Sequence, residues 1–186
     1  MGLKLIVRPR SSILIRAAFF LFVGFFSSAP EAEASQSSLN DGYSIFYDFC
    51  SQESQLSLLM WVKTTPPNVA DYAKRISATA KDDMAILKKL GVQDGALRLD
   101  KVSLPSFEVD VRKSMAADRQ KQLIFETSGA AFAQALLMTQ SETTNYGLHV
   151  AKVLSETEPQ LDRARAMRGI YDRWRALHAE AYRLSR

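Results

Sequence analysis

Three observations predict an all-α fold, an up-down four-helix bundle with one extra short helix. Apolar residues recur at spacings of three and four over four long stretches, the period of one helix face. No run of alternating β-branched residues bounded by turns occurs, so strands are not expected. The single cysteine, Cys50, leaves no intramolecular disulfide to form, and packing alone must hold the fold.

The first 34 residues read as a secretory signal. Lys4, Arg8, Arg10 and Arg16 form a basic front, Ala17 to Phe26 an apolar run, and Ala32-Glu33-Ala34 a small-x-small cleavage site. The apolar run falls short of the roughly 20 residues that span a bilayer. Cleavage after Ala34 and a periplasmic or secreted location are the expectation, with retention as a membrane anchor the alternative. No cysteine stands near the cleavage site to carry a lipid. Removing 34 of 186 residues leaves about 152, one ordinary domain. Four positive and two negative charges leave with the signal, so the net charge drops from +4 to +2. That is too little to argue for a nucleic-acid partner.

The mature chain is expected to open with a flexible leader, 35–40, before a helical domain over 41–186. Ile45, Phe46, Phe49, Leu56, Leu59 and Met60 stripe the first helix, which Thr64-Thr65-Pro66-Pro67 stops. Asn68 is a fitting cap for the second helix, with Val69, Tyr72, Ile76, Ala80 and Leu87 inward and Gly91 as its stop. Gly91 to Pro105 is a connection whose few apolar residues can tack it to the core. A short helix follows over Phe107 to Phe125, with Val111, Met115, Leu123 and Ile124 inward. Ser128 can cap a long third helix from Gly129 towards Leu154, with Phe132, Leu136, Thr139, Tyr146, Val150 and Val153 inward. Gly147 lies inside it and marks close approach by a neighbour. Thr157-Glu158-Pro159 is expected to open the last helix, striped by Leu161, Met167, Ile170, Trp174 and Leu177.

A buried site in such a bundle would show as polar residues on apolar stripes. Asp83, Glu142 and His178 answer that description, with Glu53 at the inner edge of the first helix. Carboxylates and imidazole suit zinc, iron or manganese, so a single metal ion held by Asp83, Glu142 and His178 is one reading. The other is structural: acids reaching solvent and a hydrogen-bonded core histidine. A carboxylate di-iron centre needs a Glu-x-x-His pair on each of two helices. Here Arg175 stands three residues before His178, and the chain has only His149 besides. No phosphate-binding glycine loop, Gly-x-Ser-x-Gly elbow or zinc-protease spacing occurs, and no catalytic or cofactor-binding residue is identified. Cys50 sits among apolar residues as a small core hydrophobe. The arginines of the last helix (Arg163, Arg165, Arg168, Arg173, Arg175, Arg183, Arg186) alternate with Asp162, Asp172 and Glu180 as a solvated face. At most they add a weak peripheral contact with anionic membrane.

Thr127-Ser128-Gly129-Ala130-Ala131-Phe132, with Asp71-Tyr72-Ala73-Lys74-Arg75, Asp82-Asp83 and Ala176-Leu177-His178, resembles a family of exported bacterial ferritin-like proteins, domain of unknown function 4142. The likeness runs over most of Tyr43 to Leu184. It implies a ferritin-like bundle and export. Members commonly carry an Asp-His pair on helix two and another on helix three. Here those places read Asp82-Asp83 and Ser141-Glu142, so weakened or abandoned metal binding is what the resemblance implies. The functional expectation is a non-enzymatic periplasmic binding protein without a cofactor, an envelope or stress accessory whose partner is a protein or envelope component.

Overall fold

Helix α1 (Glu33–Glu53) turns one face of Tyr43, Phe46, Phe49 and Cys50 into the interior, as its three-and-four spacing requires. The computed structural model describes residues 33–93, 95, 97–99 and 104–186, with side chains from Ser38 onward. The expected signal lies outside these residues except for Glu33 and Ala34. Residues 35–40, expected as a flexible leader, are instead the opening turns of α1. Leu39, packed against the core, gives those turns an apolar anchor. After Glu53 the chain tightens into a 3₁₀ turn (Leu56–Trp61) that buries Leu56 and Leu59.

Helix α2 spans Pro67–Gln93 and so begins one residue before Asn68, the expected cap. Proline at the first helical position lacks only an N–H that would be unpaired anyway, and the Pro66 carbonyl accepts from Val69 and Ala70. The helix also runs two residues past Gly91. Leu99 comes within 3.5 Å of the position a Gly91 Cβ would take, and Leu97 and Leu99 tack the connection to the core. Helix α3 (Ser106–Lys121) ends in a π-helical turn (Gln122–Glu126). Its buried residues are Arg112 and Ala116, whereas the expected inward Val111 and Met115 are half-buried.

Helix α4 (Gly129–Thr157) starts at Gly129, whose φ of +55° suits a residue without Cβ. Ser128 occupies the N-cap position but makes no side-chain capping bond. Thr157 does not cap the last helix. It is the final residue of α4, its hydroxyl donating back to the Val153 carbonyl at 2.8 Å. The turn is organised by Glu158, and α5 (Leu161–Leu184) follows. Val153 and Leu161, expected inside, are exposed: Val153 stands beside the buried Leu154 but off the inner face, and Leu161 is the first residue of α5.

Among the described residues the fold is all-α. Contacts between the four long helices fix their directions. The Glu53 carbonyl meets Ser77, and Lys88 lies over Tyr47, so α1 and α2 are antiparallel. Tyr43 reaches Glu158 and Phe49 packs on Tyr146, so α1 and α4 are antiparallel too. Tyr72 bonds the Leu177 carbonyl while Trp174 bonds Asp83, which sets α5 against α2. His178 meets Ser141 and Arg163 meets Glu158, which sets α5 against α4. Helices α2 and α4 therefore run the same way. The expected up-down bundle takes the order up-down-down-up, because the connection carrying α3 returns the chain along the long axis. A 16-residue helix covers about 24 Å of that return.

The core centres on Phe46, Phe49 and Trp174, with ring centroids 4.7 Å apart for Phe49–Trp174 and 5.5 Å for Phe46–Phe49. Each such buried side chain contributes about 1.5–3 kcal/mol relative to exposure. Gly147 lets α1 come close. A Cβ there would sit 2.4 Å from Phe49 Cζ, the close approach its place in the sequence predicts.

Candidate functional site

Where the first half of α1 lies beside the last half of α4, the surface sinks into an apolar groove. Its volume is about 570 Å³, and Leu39, Ile45, Tyr146, Val150, Val153 and Leu154 form its walls. Ser38, His149 and Thr157 supply its polar edge. Gly42 makes the floor, where a Cβ would meet Leu154 Cδ2 at 2.9 Å. The groove falls in the size range of small-molecule sites, and its lining is mostly hydrocarbon. Sequence periodicity missed it because Val150 and Val153 read as core residues, whereas Val153 is 56% exposed.

The polar residues on the apolar stripes lie elsewhere and apart. Asp83 is fully buried. Its Oδ1 accepts from Arg173 (Nε at 3.1 Å, with a second bond from Nη2), and its Oδ2 accepts from Trp174 Nε1 at 2.7 Å. Burial raises its pKa, and Arg173 opposes that shift. Glu142 is not inward as expected. Its side chain is 54% exposed and pairs with Arg119 of α3 at 3.2 Å. Thr139 and Thr143, on either side of it, take the inner face, which is an error of helix phase of about one position. His178 is half-buried, and its Nδ1 donates to the Ser141 carbonyl at 2.9 Å, with Thr144 Oγ1 at 3.4 Å.

Among the described residues no three His, Cys, Asp or Glu side chains form a group that could hold a metal ion. The expected ligand set of Asp83, Glu142 and His178 is not brought together. Asp83 is held by Arg173 and Trp174, Glu142 faces the α3 side, and one nitrogen of His178 serves a backbone carbonyl. As arranged, these residues do not fit a shared ion.

Glu53 is the more unusual acid. It is 2% exposed, and its Oε2 finds no hydrogen-bond partner among the described residues. Burial pushes its pKa up to about 8, opposed by its polar neighbour Gln140, so it holds its proton at neutral pH. Gln140 is fully buried, and neither its amide nitrogen nor its oxygen reaches a hydrogen-bond partner among the described residues. The same stripe logic that found Glu142 could have found Gln140, which follows Leu136 by four. Cys50 is fully buried, and its thiol is pushed well above the usual range by burial and by the nearby acids Asp83 and Glu53. Such a thiol is a poor nucleophile.

Glu158 was not foreseen either. Its Oε2 accepts from the Tyr43 hydroxyl at 2.8 Å, and its Oε1 accepts from Arg163 at 2.8 Å and from the Gln160 amide at 2.9 Å. It ties α1 to the turn and to α5. Arg163, expected on the solvated face, is buried by this pairing, whereas Arg173 stays exposed and reaches in to Asp83. No described helix is long and apolar enough to cross a membrane. Comparison with protein-family models, with curated proteins and with solved structures finds no match to this chain.

Proposed function

We propose that this chain is an exported, non-enzymatic binding protein of the bacterial envelope, built as a ferritin-like four-helix bundle akin to domain of unknown function 4142. Its ligand is a small apolar molecule taken by the groove between α1 and α4. The groove carries this reading: about 570 Å³, walled by Leu39, Ile45, Val150, Val153 and Leu154, with few polar atoms at its edge. The direction of the helices supports the ferritin-like part, since one long crossover between the second and third long helices is the mark of that arrangement. The fully buried, proton-retaining Cys50 supports the non-enzymatic part. The apolar run Ala17 to Phe26 with Ala32-Glu33-Ala34 supports export.

An environment-sensitive apolar fluorophore, anilinonaphthalene sulfonate, tests the groove on the purified mature chain. Saturable binding is expected, weakened tenfold or more by Val153→Glu, which places a charge on an already exposed wall position. Equal binding by the variant would place the probe elsewhere and remove the groove from the reading. Export is tested by the N-terminal sequence of the protein recovered from the periplasm, expected to begin at Ser35.

A further inference from the structure

One end of the long helices gathers exposed apolar and aromatic side chains that packing does not use. Helix α1 finishes there, α2 and α4 begin there, and α5 finishes there. The 3₁₀ turn and the link after it present Trp61, 86% exposed, with Val62 and Leu58 beside it. The π-helical turn presents Phe125, 80% exposed. Lys63 binds these two loops together, its Nζ donating to the Thr127 carbonyl at 2.7 Å. Trp61 and Phe125 each stand two residues from that bond. The end of α5 adds Tyr182, 54% exposed, with the Arg186 guanidinium 4.3 Å from its ring centroid.

Most charges at this end are paired: Lys121 with Glu126 at 3.1 Å, Lys74 with Asp71 at 3.1 Å, and Arg75 with Glu180. Arg183 and Arg186 close α5 as further cations. Tryptophan and tyrosine, flanked by lysine and arginine, are the side chains that settle at the boundary between hydrocarbon and headgroups. The rings bury apolar area while cations meet anionic phosphates. Helical packing gives no reason to leave Trp61 and Phe125 in water, and neither wall of the α1–α4 groove includes them.

We infer that this end of the molecule docks on an anionic lipid bilayer, with Trp61 and Phe125 inserting at the headgroup level and Arg183 and Arg186 facing the phosphates. The site is separate from the ligand groove and does not depend on it. It also differs from a contact along the charged flank of α5, because the apolar rings supply the insertion.

The chain carries its own reporter. It has two tryptophans, and Trp174 is fully buried while Trp61 is exposed, so a change in emission on binding reads Trp61. The experiment mixes the mature chain with vesicles of phosphatidylcholine and phosphatidylglycerol, and with phosphatidylcholine alone. Blue-shifted emission, protection from acrylamide quenching and co-sedimentation are expected with the anionic vesicles, weaker by tenfold or more with the neutral ones. Trp61→Ser and Phe125→Ser change exposed positions, so the fold should persist by circular dichroism while each lowers co-sedimentation at least fivefold. Absence of vesicle binding overturns the inference. So does binding that both variants retain, which would move the contact to another surface. A blue shift that grows with protein concentration without vesicles would assign the rings to self-association and likewise overturn it.

Discussion

The α2–α5 seam buries Asp83 and the α1–α4 seam buries Glu53, and the two acids are treated in opposite ways. Asp83 is satisfied on both oxygens, by Arg173 and by the Trp174 indole, so its charge has a partner. Glu53 has no cation against it and one oxygen without a hydrogen-bond partner among the described residues, so it is neutralised by a proton instead. An acid held by a partner ties two helices together. An acid held by a proton makes its seam sensitive to pH. The difference comes from what stands opposite: α5 offers Arg173 and Trp174, whereas α4 offers the neutral amide of Gln140.

The largest effect is expected on the Glu53 side. Its folded pKa of about 8 lies above the ordinary 4.5, so between those values the folded state keeps a proton that the unfolded state releases. The stability that Glu53 contributes is therefore full below about pH 4.5, falls as pH rises, and levels off beyond about 8, with a slope of at most about 1.4 kcal/mol per unit. Glu53→Gln keeps the shape without the proton and should flatten urea midpoints measured across this range. A variant that declines as steeply as the native chain would assign the pH dependence to another group.

The partnered acid should show a fixed loss. Asp83→Ala orphans the Trp174 N–H in the core and leaves a small void, for about 3 kcal/mol by denaturant unfolding. Arg173 adds little to this figure, because its side chain is 41% exposed and can turn to water. Asp83→Asn, which can still accept from the indole, should lose less than half as much. Equal losses for the two would mean that the charge rather than the indole bond holds this seam.

Packing separates the seams next. Gly147→Ala brings a Cβ to within 2.4 Å of the Phe49 ring and should lower stability by about 2 kcal/mol. Phe49→Leu in the same chain should recover part of that loss, a coupling that a double-mutant cycle measures. The smallest effect belongs to Glu142→Ala, which removes an exposed pair with Arg119 and should shift stability by under about 0.5 kcal/mol. A larger shift would show that this pair does more to hold α3 on α4 than an exposed ion pair can.

The helix stripes of α1, α2, α4 and α5 were legible because helical period is a local property, written in residues three and four apart. Cys50 as a core residue and Gly147 as a contact point were legible for the same reason. Glu142 was misplaced because a stripe has an edge: one position of phase divides a buried residue from an exposed one. The partners of Asp83 lie 90 and 91 positions away, and no local pattern names them. The groove was invisible because it is a gap between two helices and belongs to neither.

By itself the amino-acid sequence determined that the chain is helical, which faces of its long helices are apolar, and that no sulfur bridge could brace them. The tertiary structure decided the rest: the shared direction of α2 and α4, the donors opposite Asp83, the proton left on Glu53, and the rings of Trp61 and Phe125 gathered at one end. The reason is physical. Backbone hydrogen bonds and side-chain period act within a few residues, while burial, desolvation and ion pairing depend on which segments meet, and those segments lie scores of residues apart.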